Sequence, residues 1–176
     1  LIGKTADELG ASEYYRYLGE CDGLGPDPSR PQPYVGATPP TVDPQRLLPL
    51  YRAFESAGNA GLLRSAATPS LGGWGPVLAR CVMASEFGLD VDLGDVARRA
   101  EMSADRFLFS ESNGRLLATV RPADRERFEA CFEGLPLALV GKVDARARLK
   151  LSFGDQSHAW SSADLSRAFK ETLGDD

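Results

Sequence analysis

Histidine occurs once in this chain, at His158, and cysteine only at Cys21, Cys81 and Cys131. Three cysteines are an odd number, they lie far apart, and none belongs to a Cys-x-x-Cys pair, so neither a disulfide framework nor a Cys/His zinc site is indicated. The same scarcity removes a nucleophile with an oriented imidazole base. His158 lies in a hairpin context with no serine or cysteine motif about it, which reads as a surface position, and Cys21 would need a histidine and an acid converging on it to serve as a glutaminase nucleophile. No apolar run reaches membrane-spanning length and no signal-peptide pattern is present, so a soluble, unexported protein of the reducing cytoplasm is expected. An excess of cations is also missing. With 20 Lys and Arg against 25 Asp and Glu, the net charge of -5 argues against a nucleic-acid surface, which works by setting cations against phosphate. Small anions stay open as ligands if the backbone holds them.

What is present is ordinary in amount and patterned in order. Hydrophobic residues make up 43% and charged residues 26%, the usage of a globular chain, and 176 residues predict one domain with a buried core. The opening Leu1-Ile2-Gly3 reads as the middle of a strand with no methionine before it, which predicts a piece of a longer polypeptide. The chain is organised around Ser65 to Trp74. There a small-residue segment meets Gly72 and Gly73, and Trp74, Val77, Leu78, Cys81 and Ser85 then recur at helical spacing. Strand, tight turn and a helix to about Phe87 are predicted. At such a junction the first N–H groups of the helix lack intrahelical partners and glycine admits an anion closely, unless the glycines only seat the helix against a sheet.

Upstream, Ser12 is placed to cap a short helix ending at Gly19, and residues 22–42, with six prolines, read as an extended surface excursion anchored at most by Tyr34 and Val35. Asp43-Pro44 starts a helix with Leu47, Leu50, Tyr51 and Phe54 inward and Gly58 or Gly61 at its end, while Pro49 either kinks it or delays its start. Leu89 to Leu93 alternates as a half-buried strand with Asp90 and Asp92 on its polar face, and Asp95 to Ala100 follows as a short helix. Phe107 to Phe109 and Arg115 to Val120 are predicted as strands about the turn Glu111-Ser112-Asn113-Gly114. Pro122 opens a helix with Phe128, Cys131 and Phe132 inward, stopped by Gly134, and Leu135 to Val143 reads as a strand covered on both faces. Arg148–Phe153 and Gln156–Trp160 form a hairpin about Gly154-Asp155, and Ser161 with Asp164 caps a last helix whose face is Leu165, Ala168, Phe169 and Leu173. Trp74 and Trp160 read as core or interface residues. Strands and helices interleave, so the predicted class is α/β (α+β), a two-layer domain with a mixed β-sheet covered by helices.

Taken in order, Leu9-Gly-Ala-Ser-Glu-Tyr14, Ser70-Leu-Gly-Gly73 and Leu108-Phe-Ser-Glu-Ser112 resemble the motifs of the C-terminal domain of the AIR-synthase-related superfamily, over roughly residues 1–152. More narrowly, the chain is similar to the C-terminal lobes of the ATP-dependent ligases that make the amidine FGAM from FGAR, ATP and glutamine in purine biosynthesis. Where the family pattern reads L-G-G-S-E-Y, Ala11 replaces the second Gly. Where it reads H-D-x-S-[DE]-G-G-L, Ala67 replaces the His, Thr68 the Asp, Leu71 the acidic residue and Trp74 the Leu. The resemblance implies that Ser70, Gly72, Gly73, Glu111 and Ser112 bind nucleotide or substrate. It carries over no catalytic residue and no metal ligand, because the magnesium-holding Asp is Thr68 here and a hydroxyl serves a hard cation poorly. It further implies ATP and magnesium for the whole enzyme, neither held tightly by this chain alone, and as partners an N-terminal AIR-synthase-like lobe and a glutaminase domain or subunit. From the residues themselves Glu111 reads as a solvated turn carboxylate and Ser112 as a turn former; the resemblance is what sets a ligand role beside that reading. Two further readings stay open: a structural or assembly lobe that has lost ligand contacts, and the C-terminal lobe of another superfamily enzyme such as an AIR synthase or selenophosphate synthetase.

Overall fold

The structure, a computed structural model, describes residues 1–21 and 38–171. The predicted positions Tyr34, Val35 and Leu173 lie outside them. The chain opens extended, with Ile2 bridged to Leu116 and to Leu137, and then enters helix α1 (Glu13–Cys21), where Ser12 Oγ accepts the Tyr15 N–H at 3.3 Å. α1 passes through Gly19 to Cys21 rather than ending there. Helix α2 (Pro44–Asn59) starts where Asp43 Oδ1 accepts the N–H groups of Gln45 at 3.0 Å and Arg46 at 3.4 Å. It continues through Pro49, so the proline neither delays its start nor ends it, although the ring leaves the Gln45 carbonyl without its helical donor. Its buried stripe is Leu50, Ala53 and Ala57; Tyr51, predicted inward, stands one position off that stripe and is 46% exposed.

Then follow β1 (Leu63–Ala67), α3 (Trp74–Met83), β2 (Gly88–Asp92), α4 (Gly94–Arg99), α5 (Ala104–Phe109) and β3 (Leu117–Val120). A 3-10 turn at Pro122–Asp124 leads into α6 (Arg125–Cys131), and the chain closes with β4 (Gly141–Asp144), β5 (Arg148–Phe153), β6 (Gln156–Ser161) and α7 (Ser162–Glu171). The fold is of the predicted mixed class. Its mixed sheet has the order β4-β2-β5-β6, with β2 and β5 parallel and the other pairs antiparallel, while β1 and β3 form a separate antiparallel ladder. In the parallel pair Leu89 faces Leu149 and Val91 faces Leu151, so the alternation that marked these strands puts Leu149, Val91 and Leu151 into the core. The opposite face carries Asp90 paired to Lys150 at 3.3 Å, and Asp92, whose Oδ1 accepts the Gly94 N–H at 2.8 Å.

Four predicted elements are corrected by packing. Phe107–Phe109 is the last turn of helix α5, not a strand: the Phe107 N–H bonds the Ser103 carbonyl at 2.9 Å and Phe107 joins the core against α3. Three apolar residues carry no period of their own, so neighbours decide. Of Leu135–Val143 only the last part joins the main sheet, as edge strand β4, leaving Leu139 68% and Val143 47% exposed; the earlier part bridges the opening segment through Leu137, and the carbonyl of Pro136, which has no N–H for a ladder, accepts the Gly3 N–H at 2.9 Å. α3 stops at Met83, because Ser85 Oγ takes the Phe87 N–H at 2.9 Å. In α7 the Ser161 cap forms, with Ser161 Oγ accepting the Asp164 N–H at 3.0 Å, but among the described residues of the expected face Leu165 packs on the core while Phe169 is 54% exposed.

Two apolar clusters result. The larger joins α3 (Trp74, Val77, Leu78, Val82) to the sheet (Val91, Leu149, Leu151) and to Leu93, Ala97, Phe107 and Leu117. The smaller joins Ile2 and Leu62 to α2 and to Phe128 and Phe132, whose rings lie 4.9 Å apart. β3 lies between them, with Leu117 in the first and Ala118 and Val120 against the second.

Candidate functional site

The glycine turn before α3 is the point on which distant segments converge. Gly73 has φ +70°, and a Cβ there would stand 2.4 Å from the Ser110 carbonyl oxygen and 2.8 Å from that of Leu108, so only glycine lets the turn lie against residues 108–110. The Gly73 N–H donates to the Ser70 carbonyl at 3.0 Å, while the Gly72 N–H donates to Glu111 Oε1 at 2.7 Å. The same oxygen accepts the N–H of Glu13, the first residue of α1, at 3.0 Å. All three motif segments singled out in the sequence therefore meet at one carboxylate.

The predicted site residues divide into an outer and an inner set. Ser70 and Leu71 are exposed, Leu71 to 67%, whereas Gly72 and Gly73 are buried. Ser112 is only 4% exposed and its hydroxyl accepts the Ala6 N–H at 3.0 Å, so it ties the motif to the opening segment. Neither of the open alternatives for Glu111 and Ser112, solvated turn residue or simple turn former, describes the contacts they make here.

Sequence reasoning missed the residue at the centre. Arg115 is 1% exposed, and its guanidinium donates to the carbonyls of Ser112 at 2.8 Å and Ser110 at 2.6 Å and to Thr5 Oγ1 at 3.3 Å. It lies 5.1 Å from the Trp74 ring centroid, and Trp74 Nε1 donates to the same Thr5 hydroxyl at 3.1 Å. Burial pushes the guanidinium down to about 10, against the pull of the Glu8 and Glu111 carboxylates. The one available signal was a cation heading an otherwise apolar strand segment. Glu8 in turn accepts the Thr41 N–H at 3.0 Å and the Thr41 hydroxyl at 2.6 Å. Burial pushes its carboxyl upward, but the hydroxyls of Ser112 and Thr41 outweigh that and hold it below its ordinary value of 4.5.

Two substitutions relative to the family pattern acquire physical meaning. Ala11 has φ +56°, the left-handed conformation that the pattern's glycine adopts freely and that costs an alanine about 1–2 kcal/mol. Thr68 Oγ1 donates to the Arg115 carbonyl at 3.0 Å, a bond a carboxylate could not make. The donors here do not suit magnesium: Thr68 is committed to that carbonyl, and among the described residues no three His, Cys, Asp or Glu side chains converge as a metal site. His158 lies on exposed β6, stacked on Trp160 at 5.8 Å, and Cys21 is exposed at the end of α1. A separate groove of about 510 Å³ beyond the carboxyl ends of β2 and β5, lined by Asp92, Asp95, Arg98 and Phe153 among others, contains none of the residues expected to bind nucleotide or substrate. No helix among the described residues is long and apolar enough to cross a membrane.

A two-core lobe with its glycine turn locked by motif segments before and after it defines a recurrent class of domain. The chain belongs to the family described as AIR synthase related protein, C-terminal domain, whose model matches residues 3–154. It is 36% identical over 148 residues to the phosphoribosylformylglycinamidine synthase subunit PurL of Methanosarcina mazei, covering 84% of this chain and 18% of that protein. The PurL subunit of Lactobacillus helveticus is 26% identical over 174 residues, covering 98% of this chain and 20% of the relative. The chain thus spans about a fifth of the length of the curated relatives it matches. Among solved structures the fold is shared with Thermotoga maritima PurL complexed with FGAR, at TM-score 0.72 and 18% identity over 94% of this chain and 27% of that one. It is also shared with the hydrogenase maturation protein HypE of E. coli, at TM-score 0.54 and 16% identity over 90% of this chain and 47% of that one.

Proposed function

We propose that this chain is the C-terminal lobe of a phosphoribosylformylglycinamidine (FGAM) synthase, an ATP-dependent ligase that makes FGAM from FGAR, ATP and glutamine in purine biosynthesis. The observation that carries this reading is the 36% identity to a PurL subunit across 84% of the chain. In this reading the lobe is a single domain that supplies one wall of a nucleotide- or phosphate-binding cleft. The exposed Ser70 and Leu71 face the ligand, with the buried Gly72 and Gly73 shaping the turn and Glu111 and Ser112 behind them. The opposite wall is an N-terminal AIR-synthase-like lobe, and ammonia comes from a glutaminase domain or subunit.

Magnitudes require that second wall. A helix start attracts an anion by about 0.3–1 kcal/mol, up to roughly 2 in partly buried sites, whereas millimolar affinity needs about 4 kcal/mol. One turn therefore does not hold a nucleotide, and magnesium must come with ligands from outside this lobe. The test compares two proteins with FGAR, ATP, magnesium and ammonia, so that no glutaminase is needed. The 176-residue chain alone is expected to form no FGAM above background, while the chain joined to a PurL N-terminal region forms it. Turnover by the chain alone would show an active site lying wholly within it, and an inactive but folded joined protein would overturn the assignment.

A second reading, a structural or assembly lobe without ligand contact, draws support from the engagement of Glu111 and Ser112 by the chain's own backbone. It predicts that the Ser70→Ala joined enzyme keeps full activity and an unchanged KM for each substrate.

A further inference from the structure

We propose that Glu111 is a two-ended clasp that makes α1 and the glycine turn move as one unit, so that a contact made on α1 is felt at the turn. The inference rests on the reading above only in taking the turn to face a ligand. One oxygen, Glu111 Oε1, receives the N–H of Gly72 at 2.7 Å and of Glu13 at 3.0 Å. Both donors stand at or just before the first turn of a helix, where backbone N–H groups have no partner within the helix. Losing the carboxylate would leave both unpaired together, and Gly72 is buried, where an unpaired N–H is costly.

The base of the clasp is fixed. The Glu111 N–H donates to the Glu8 carbonyl at 3.2 Å, Arg115 holds the carbonyls on either side of Glu111, and Ser110 Oγ donates to the Ala6 carbonyl at 2.7 Å. With its backbone pinned, the side chain transmits displacement between its two donors rather than absorbing it. A parallel route exists through Phe109, which stacks on Tyr14 at 4.5 Å and lies beside Gly75, so the test must separate the two. α1 also carries Tyr17, 59% exposed, on its outer surface. On this view Glu111 is a positioning residue rather than a ligand contact.

The test needs no ligand. Ser12→Ala removes the α1 cap and is expected to shift the Gly72 amide resonance in the otherwise native chain, to leave it unmoved in Glu111→Ala, and to shift it again in Glu111→Gln, whose amide oxygen still accepts both N–H groups. Glu111→Ala is further expected to raise hydrogen exchange at Gly72 and Glu13 together by tenfold or more, with β5 amides unchanged. If Glu111→Ala does not fold, Glu111→Asp, one methylene shorter, replaces it and is expected to release at least one of the two donors and break the coupling. Persistence of the Ser12→Ala effect at Gly72 without the glutamate would assign the coupling to Phe109 and overturn the clasp. So would a Glu111→Gln variant that behaves like alanine. Failure of phosphate to perturb residues 70–74 in the PurL-joined protein would count against the ligand reading alone.

Discussion

At the scale of the residue, the site is a problem of burying charge. Arg115, Glu8 and Glu111 converge within one neighbourhood, and the buried guanidinium is tolerable because three acceptors and an aromatic face surround it. Glu8 gives this a pH signature. Its folded-state carboxyl sits below 4.5, so the unfolded chain binds the proton first. The stabilisation is fully present above pH 4.5 and is lost as pH falls through the lower folded value. Glu8→Gln is expected to cost about 1.5–3 kcal/mol at neutral pH, the range for a hydrogen bond to a charged group, and to flatten the acid limb of stability against pH. Urea unfolding at several pH values would check it; an unchanged acid slope would remove Glu8 from the network. None of this was visible in the spacing of charges along the chain.

At the scale of the element, the glycine turn is the least replaceable piece. Gly73→Ala must adopt a left-handed conformation, about 1–2 kcal/mol, and drive a methyl into two carbonyl oxygens, an overpacking worth about 1–3 kcal/mol, so a loss of about 2–5 kcal/mol is expected. Denaturant unfolding of the variant measures it, and a cost below 1 kcal/mol would mean that the turn moves aside easily. The turn was legible from paired glycines ahead of a helical period. Its occupant was not, because the open anion position expected there is already engaged by Glu111 from 39 residues downstream. The same limit governs α5, where three apolar residues read as strand and fold as helix once Phe107 meets the core.

At the scale of the whole molecule, the two apolar clusters share β3, which places alternate neighbours in each. A single cooperative unfolding transition is expected, with fluorescence of the buried Trp74 in the larger cluster and far-UV helix signal from α2 and α6 in the smaller one falling together. Two separated midpoints would divide the lobe into independent units. The open polar sheet face, exposed β6 and exposed Phe169 and Leu139 leave much surface without cover among the described residues.

By itself the sequence determined the mixed class and the positions of α2, β1, α3, β2, the β5–β6 hairpin and α7, because caps, turn residues and periodicity are local and each acts within a few residues of its cause; the family followed separately, from the resemblance of its three motifs. Only the tertiary structure decided that β1 and β3 stand apart from the main sheet, that β4 is an edge, and that Arg115 is buried beneath the turn. It alone decided that Glu13, Gly72 and Glu111 share one oxygen. Those outcomes depend on which distant groups need a hydrogen-bond partner once water is excluded, and that need arises only when the chain has closed on itself.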